Sequence, residues 1–164
     1  MRSSLILRAF VVWAGLTVLA SGCATVAAQD GAPREVPILQ KWQGDYPVTE
    51  INRLPEGQRE ARVGYIGDAT TFAAVWQAFR SGEPVPQVDF GRDLVVFARN
   101  VEFYNRTSIF KVVLKDGVAE VLAMETMSAL PVEDKVAMAL AVVPRVGVEF
   151  IQAGTARIPV TVGK

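Results

Sequence analysis

Cys23 is the only cysteine in 164 residues, and the chain contains no histidine. Those two counts bound the available chemistry. Histidine is the usual general base near neutral pH and the commonest metal ligand, so Ser-His-Asp or Cys-His catalysis and His-based zinc sites are excluded. One thiol makes neither a Cys-only zinc or iron–sulfur site nor an intrachain disulfide. Cys23 is left as a free thiol, an intermolecular bridge or a point of modification. Ser81, Ser108 and Ser128, the serines beyond the leader, lie in neither Gly-x-Ser-x-Gly nor Ser-x-x-Lys. Carboxylate pairs run glycoside hydrolysis without histidine, but the candidates, Glu125 with Glu133 and Glu102 with Glu149, come with no motif. No Gly-rich phosphate loop is present. The expectation is therefore a non-catalytic protein with no cofactor and no metal.

Charge points the same way. Seventeen Lys and Arg against 17 Asp and Glu leave no basic excess to hold a nucleic-acid backbone, so no nucleic-acid partner is expected. With 51% apolar and 21% charged residues, the chain suits a packed globular domain.

The position of Cys23 gives it a chemical fate. Residues 1–22 have the parts of an export signal: Arg2 and Arg8 at a positive start, the apolar stretch Ala9–Ala20, then small residues. That stretch is 12 residues long, short of the roughly 20 that a spanning helix needs. Leu19-Ala20-Ser21-Gly22-Cys23 resembles the lipobox of bacterial lipoproteins. The resemblance implies cleavage before Cys23 and acylation of its sulfur and new amino terminus by three chains, palmitate among them, which attach the protein to the lipid bilayer. A single chain binds only marginally, at about 0.8 kcal/mol per buried methylene, and several make attachment durable. Ala24 is not the Asp that retains such proteins in the inner membrane, so the implied address is the outer membrane, facing the periplasm. The alternative is ordinary cleavage after Val26-Ala27-Ala28, which would release a soluble periplasmic protein beginning at Gln29. Losing residues 1–22 leaves 15 basic and 17 acidic side chains, a net charge of −2.

After Cys23, residues 24–34 are small, polar and punctuated by Gly and Pro, which reads as a tether making 23–34 a lipidated cysteine and flexible linker. Residues 35–164 then form a single globular domain. Gln40–Gln58 is turn-rich, with a short strand expected over Tyr46–Ile51, and Trp42 and Tyr46 are expected at the core edge. Phe72, Val75, Trp76 and Phe79 fall at i, i+3, i+4 and i+7 and predict one amphipathic helix, Thr70–Arg80, capped by Asp68, Thr70 or Thr71 and ended by Gly82 and Pro84. Asp93–Arg99 and Val136–Pro144 are apolar enough to be strands covered on both faces.

Asp116-Gly117 is the strongest hairpin signal. A two-residue turn there pairs Lys115 with Val118, Leu114 with Ala119, Val112 with Val121 and Phe110 with Ala123, and puts Phe110, Val112 and Leu114 on one face. That face is expected beneath the helix. Strands are also expected at Val148–Gln152 and Ile158–Val162, the last an edge because Pro159 has no N–H to donate. Six to seven strands with one packed helix, in hairpin-rich order, predict an α+β fold, an antiparallel β-sheet sandwich or half-barrel. Met124, Met127 and Met138 are read as core filling, with a promiscuous apolar groove as the alternative.

The order of pieces across Val63–Ile151, namely a strand ending in Gly67, a helix carrying Trp76, "PQVDFGRDLVVFA" with Val88-Asp89-Phe90 at its centre, a hairpin and "AVVPRVGVEFI", resembles the C-terminal domain of the PrcB family of protease-complex components. The resemblance implies a small exported protein that belongs to a complex without being its protease. Where that family shows a Gly-rich turn, residues 100–108 read Asn-Val-Glu-Phe-Tyr-Asn-Arg-Thr-Ser, without glycine. Phe103, Tyr104, Asn105 and Arg106 bring aromatic and Arg types common at interface hot spots and are the candidate partner contacts, together with strand addition at the Pro159 edge. The expected function is a non-catalytic, lipid-anchored envelope protein that binds or stabilises a partner protein. The alternative is a carrier of a small apolar ligand, with a pocket under Phe72, Trp76 and Phe79.

Overall fold

The computed structural model describes residues 31–100, 106–126 and 134–161. Nine strands and one α-helix follow in order: β1 (Arg34–Val36), β2 (Gln40–Pro47), a 3₁₀ turn (Val48–Arg53), β3 (Val63–Ile66), α1 (Ala69–Phe79), β4 (Asp93–Asn100), β5 (Arg106–Lys115), β6 (Val118–Thr126), β7 (Lys135–Pro144), β8 (Phe150–Ala153) and β9 (Ala156–Pro159). They form an α+β sandwich of two sheets, ordered β1-β5-β6-β8-β9 and β2-β7-β4-β3.

The central strands of the second sheet follow from their sequences. Every residue of β4 from Leu94 to Asn100, and every residue of β7 from Val136 to Val143, is buried. Such strands must be covered on both faces, and successive residues supply opposite sides. Leu94, Val96, Ala98, Ala139, Ala141 and Val143 face the other sheet, where they meet Val36, Ile109, Val112, Leu114, Val121 and Ile151. Val95, Phe97, Met138, Leu140 and Val142 face outward and are covered by Phe72, Val75, Trp76 and Phe79 of α1, with Tyr46 and Leu54. Each such aliphatic side chain removed from water is worth about 1.5–3 kcal/mol before entropy.

The helix therefore does not lie on the hairpin. Val112 and Leu114 belong to the core between the sheets, and α1 belongs to the layer beyond the second sheet. Covering β4 and β7 on both faces takes the hairpin on one side and the helix on the other, so the two amphipathic elements never meet. Asp68 caps α1, its Oδ1 accepting from Thr71 N at 2.8 Å, and Arg80 is the residue after the last turn.

Register in the β5–β6 hairpin holds from Lys115↔Val118 to Val112↔Val121 and then slips between Ile109 and Lys111. Ile109, not Phe110, pairs with Ala123. A bulge inserts one extra residue and leaves it unpaired. Here it keeps Ile109 and Val112 in the core and turns Phe110 out to 55% exposure. Asp116 and Gly117 both have positive φ, 48° and 76°, as a type I′ turn requires.

Four further expectations are revised. Gln40–Pro47 is the strand, paired along its whole length with β7, and Val48–Arg53 is a 3₁₀ turn. Arg34 belongs to β1, antiparallel to β5, rather than to the tether. β8 starts at Phe150 and β9 ends at Pro159, which closes one sheet edge. β8 runs parallel to β6, because the chain returns from the second sheet between them instead of turning back on itself.

Candidate functional site

The sandwich has two ends. At the near end the described chain begins at Gly31 and β1 starts; β2 begins, β7 ends, and the Asp116-Gly117 turn meets Glu149, whose N–H donates to Gly117 O at 2.8 Å. At the far end stand the 3₁₀ turn, the segment 54–62, and the strand termini Asn100, Arg106, Thr126 and Lys135. β5, ten residues long, places the two ends about 33 Å apart.

Of the expected contact residues, Phe103, Tyr104 and Asn105 lie outside the described residues, as does Cys23. Arg106 is exposed at the far-end start of β5, opposite Thr126 on β6. Beside it the structure brings together two apolar side chains that sequence reasoning assigned to buried faces. Met124, opposite Ser108, is 60% exposed rather than core filling, and Phe110 is turned out by the bulge. β1 pairs only with Val112–Leu114, so the outer edge of β5 from Arg106 to Lys111 has no strand neighbour among the described residues. The signal for Phe110 was the doublet Ile109-Phe110 before Lys111. Two adjacent large apolar residues break strict alternation, and a bulge sends one of them outward.

The Pro159 edge is blunted. Pro159 has no N–H, and its C=O accepts from the Tyr65 hydroxyl at 2.9 Å; the same hydroxyl accepts from Thr161 N at 2.9 Å. Little of β9 is left for an added strand to pair with.

Below Arg106 the far end is held by buried polar groups. Arg99, 1% exposed on β4, donates from Nε to Ala61 O at 2.8 Å and from Nη2 to Arg59 O, while its Nη1 has no partner. Burial pulls its guanidinium below the ordinary value, and Glu60 and Tyr46 oppose the shift. Tyr46 donates its hydroxyl to Glu50 O at 2.8 Å. Burial, reinforced by Glu50 and opposed by Arg53 and Arg99, pushes Tyr46 up to about 12. Gln58 Oε1 accepts from Tyr65 N at 2.7 Å and ties the same segment to β3. Thr107 Oγ1 is buried there without a partner.

On the helix side, the rings of Trp42, Phe72, Trp76, Phe79 and Phe90 form a chain of contacts with centroids 5.1–6.2 Å apart. Trp76 Nε1 is buried in it without a hydrogen-bond partner. Met138 is core in this layer, and Met127 lies outside the described residues.

Each acid pair has one member outside the described residues. Glu125 pairs at the far end with Thr107, whereas Glu149 sits beside Gly117 at the near end; Glu102 and Glu133 lie outside the described residues. Among the described residues no three His, Cys, Asp or Glu side chains are placed to hold a metal ion, and no helix is long and apolar enough to cross a membrane. What the arrangement offers chemically is a contact surface: a strand edge without a strand neighbour among the described residues, flanked by Arg106, Phe110 and Met124. Compared with family models, characterised proteins and solved structures, the chain matches none.

Proposed function

We propose that this chain is a non-catalytic, lipid-anchored protein of a bacterial envelope that binds or stabilises another envelope protein. Attachment through acylated Cys23 at the outer membrane, with the domain in the periplasm, is the localisation that the leader and Leu19–Cys23 favour. The resemblance of Val63–Ile151 to the PrcB family points to the same role.

The observation that carries the reading is the exposed band of Arg106, Phe110 and Met124 along a strand edge that has no strand neighbour among the described residues. Arg, Met and aromatic residues are enriched in interface cores, and a free edge supplies backbone donors and acceptors to an extended segment. Phe110 and Met124 are held outward by backbone register, so they are presented without first being freed from the core.

Affinity capture from gently solubilised native membranes tests the reading. The unaltered chain is expected to recover a stoichiometric partner, and a Phe110→Asp, Met124→Asp chain to lose it while keeping its thermal unfolding midpoint. Repeated recovery of the unaltered chain alone would sink the proposal.

A further inference from the structure

We propose that the near end of the sandwich rests on the bilayer, with Leu39 and Val146 in the interfacial layer and Arg92 at the level of the lipid phosphates. This inference rests on the acylation of Cys23 proposed above.

Chain length selects the end. Eight Cα–Cα steps join Cys23 to Gly31, and at 3.3–3.6 Å each they span at most about 29 Å. The far end lies about 33 Å along β5 from the near end, so the tether cannot run the length of the domain and invert it. The tether also starts beside the surface in question. Arg34, three residues after Gly31, donates from Nη2 to Val146 O at 3.1 Å.

The chemistry of the surface agrees. Val146 is 72% exposed and Leu39 51%. They line one cleft of about 780 Å³ with Arg92, Pro144 and Arg145. Val146 sits in a tight turn closed by Val148 N to Arg145 O at 3.0 Å, with Gly147 at φ 79°. Turn positions ordinarily carry small polar residues, and neither local geometry nor the core asks for valine here.

Arg92, exposed beside these aliphatic residues, suits an interface, since an arginine stem lies along apolar surface while the guanidinium reaches phosphate oxygens; Arg145 instead turns inward and donates from Nη2 to Gly67 O at 3.3 Å. Two acids line the same cleft. Asp89 is committed to its own turn, its Oδ1 accepting from Gly91 N at 3.0 Å, and Asp93 is only partly exposed. Resting this end on lipid leaves Arg106 and Met124, toward the far end, for a partner.

The test uses the processed chain in vesicles of phosphatidylethanolamine and phosphatidylglycerol. Acylation consumes the only native thiol, so Leu39→Cys, Val146→Cys and, as the far-end control, Met124→Cys each carry a single nitroxide label. Labels at 39 and 146 are expected at a depth of about 5–10 Å in the headgroup–acyl boundary. They should collide several-fold more often with oxygen, relative to a water-soluble nickel complex, than the label at 124. Equal water access at all three positions, in chains whose mass confirms acylation, would overturn this proposal and leave the anchor standing. Spin–spin broadening at 146 that disappears on dilution with unlabelled chain would put a second copy on this surface and overturn it too. A mass showing unmodified Cys23 would remove the anchor and this inference with it.

Discussion

The far end of the sandwich is fastened from within: Arg99, Tyr46 and Gln58 send buried polar groups from the strands and the 54–62 segment into one another. The near end is fastened mostly by exposed contacts, Arg34 Nη2 to Val146 O among them. Asp68 caps α1, Asp89 closes its own turn, and Glu149 and Phe150 donate to Gly117 O, while Leu39 and Val146 are left in solvent. A buried polar network resists change because breaking one member strands the others, whereas a short turn absorbs substitutions at its tip. The two ends should therefore differ in what mutation does to them, with stability concentrated at one and tolerance at the other.

Arg99→Met is the strongest way to break that contrast. It keeps the volume but leaves Ala61 O and the other accepting carbonyl without their donor. A loss of about 3 kcal/mol is expected, with faster amide exchange confined to 54–62. Unchanged stability in urea would show that the network holds nothing. Gly64→Ala comes next, because a Cβ there would overlap Gln58 Oε1 and Phe97. Overpacking of this kind costs about 1–3 kcal/mol, and the urea midpoint should fall accordingly.

The pH dependence of Tyr46 sharpens the comparison. Its folded pKa of about 12 lies above the ordinary value of about 10, so the neutral hydroxyl contributes its full stability below about pH 10. That contribution falls as pH rises through 12. Between those limits roughly 2 kcal/mol should disappear, scaled by about 1.4 kcal/mol per pH unit. Tyr46→Phe should flatten that part of the profile; an unaltered slope would assign the loss to other groups.

At the near end the effects are smaller. Asp68→Ala removes the cap of α1 and should cost about 1 kcal/mol. Val146→Asp should stay within about 0.5 kcal/mol of the parent in unfolding measurements. A large penalty at 146 would make the near end as rigidly coupled as the far end and erase the contrast.

Much of this fold was legible because hydrophobic period is a local property of sequence. The stripe Phe72, Val75, Trp76, Phe79 specified a helix, Asp116-Gly117 specified a turn, and the unbroken apolar runs of β4 and β7 specified burial on two sides. Period does not say which apolar face meets which. The hairpin and α1 were each correctly amphipathic, yet the sheet of β4 and β7 stands between them.

The candidate surface was less legible. Phe110 and Met124 look like core residues one at a time, and only the slip at Ile109/Lys111 turns Phe110 outward. The sequence by itself determined the lone thiol, the absence of histidine and the amphipathic elements, since these follow from residue type and spacing along the chain. Tertiary structure alone decided the layer order, the parallel return of β8, the burial of Arg99 and the division into two unlike ends. Those depend on which distant segments meet, and that is fixed by the need to cover every apolar face and pair every buried polar group at once.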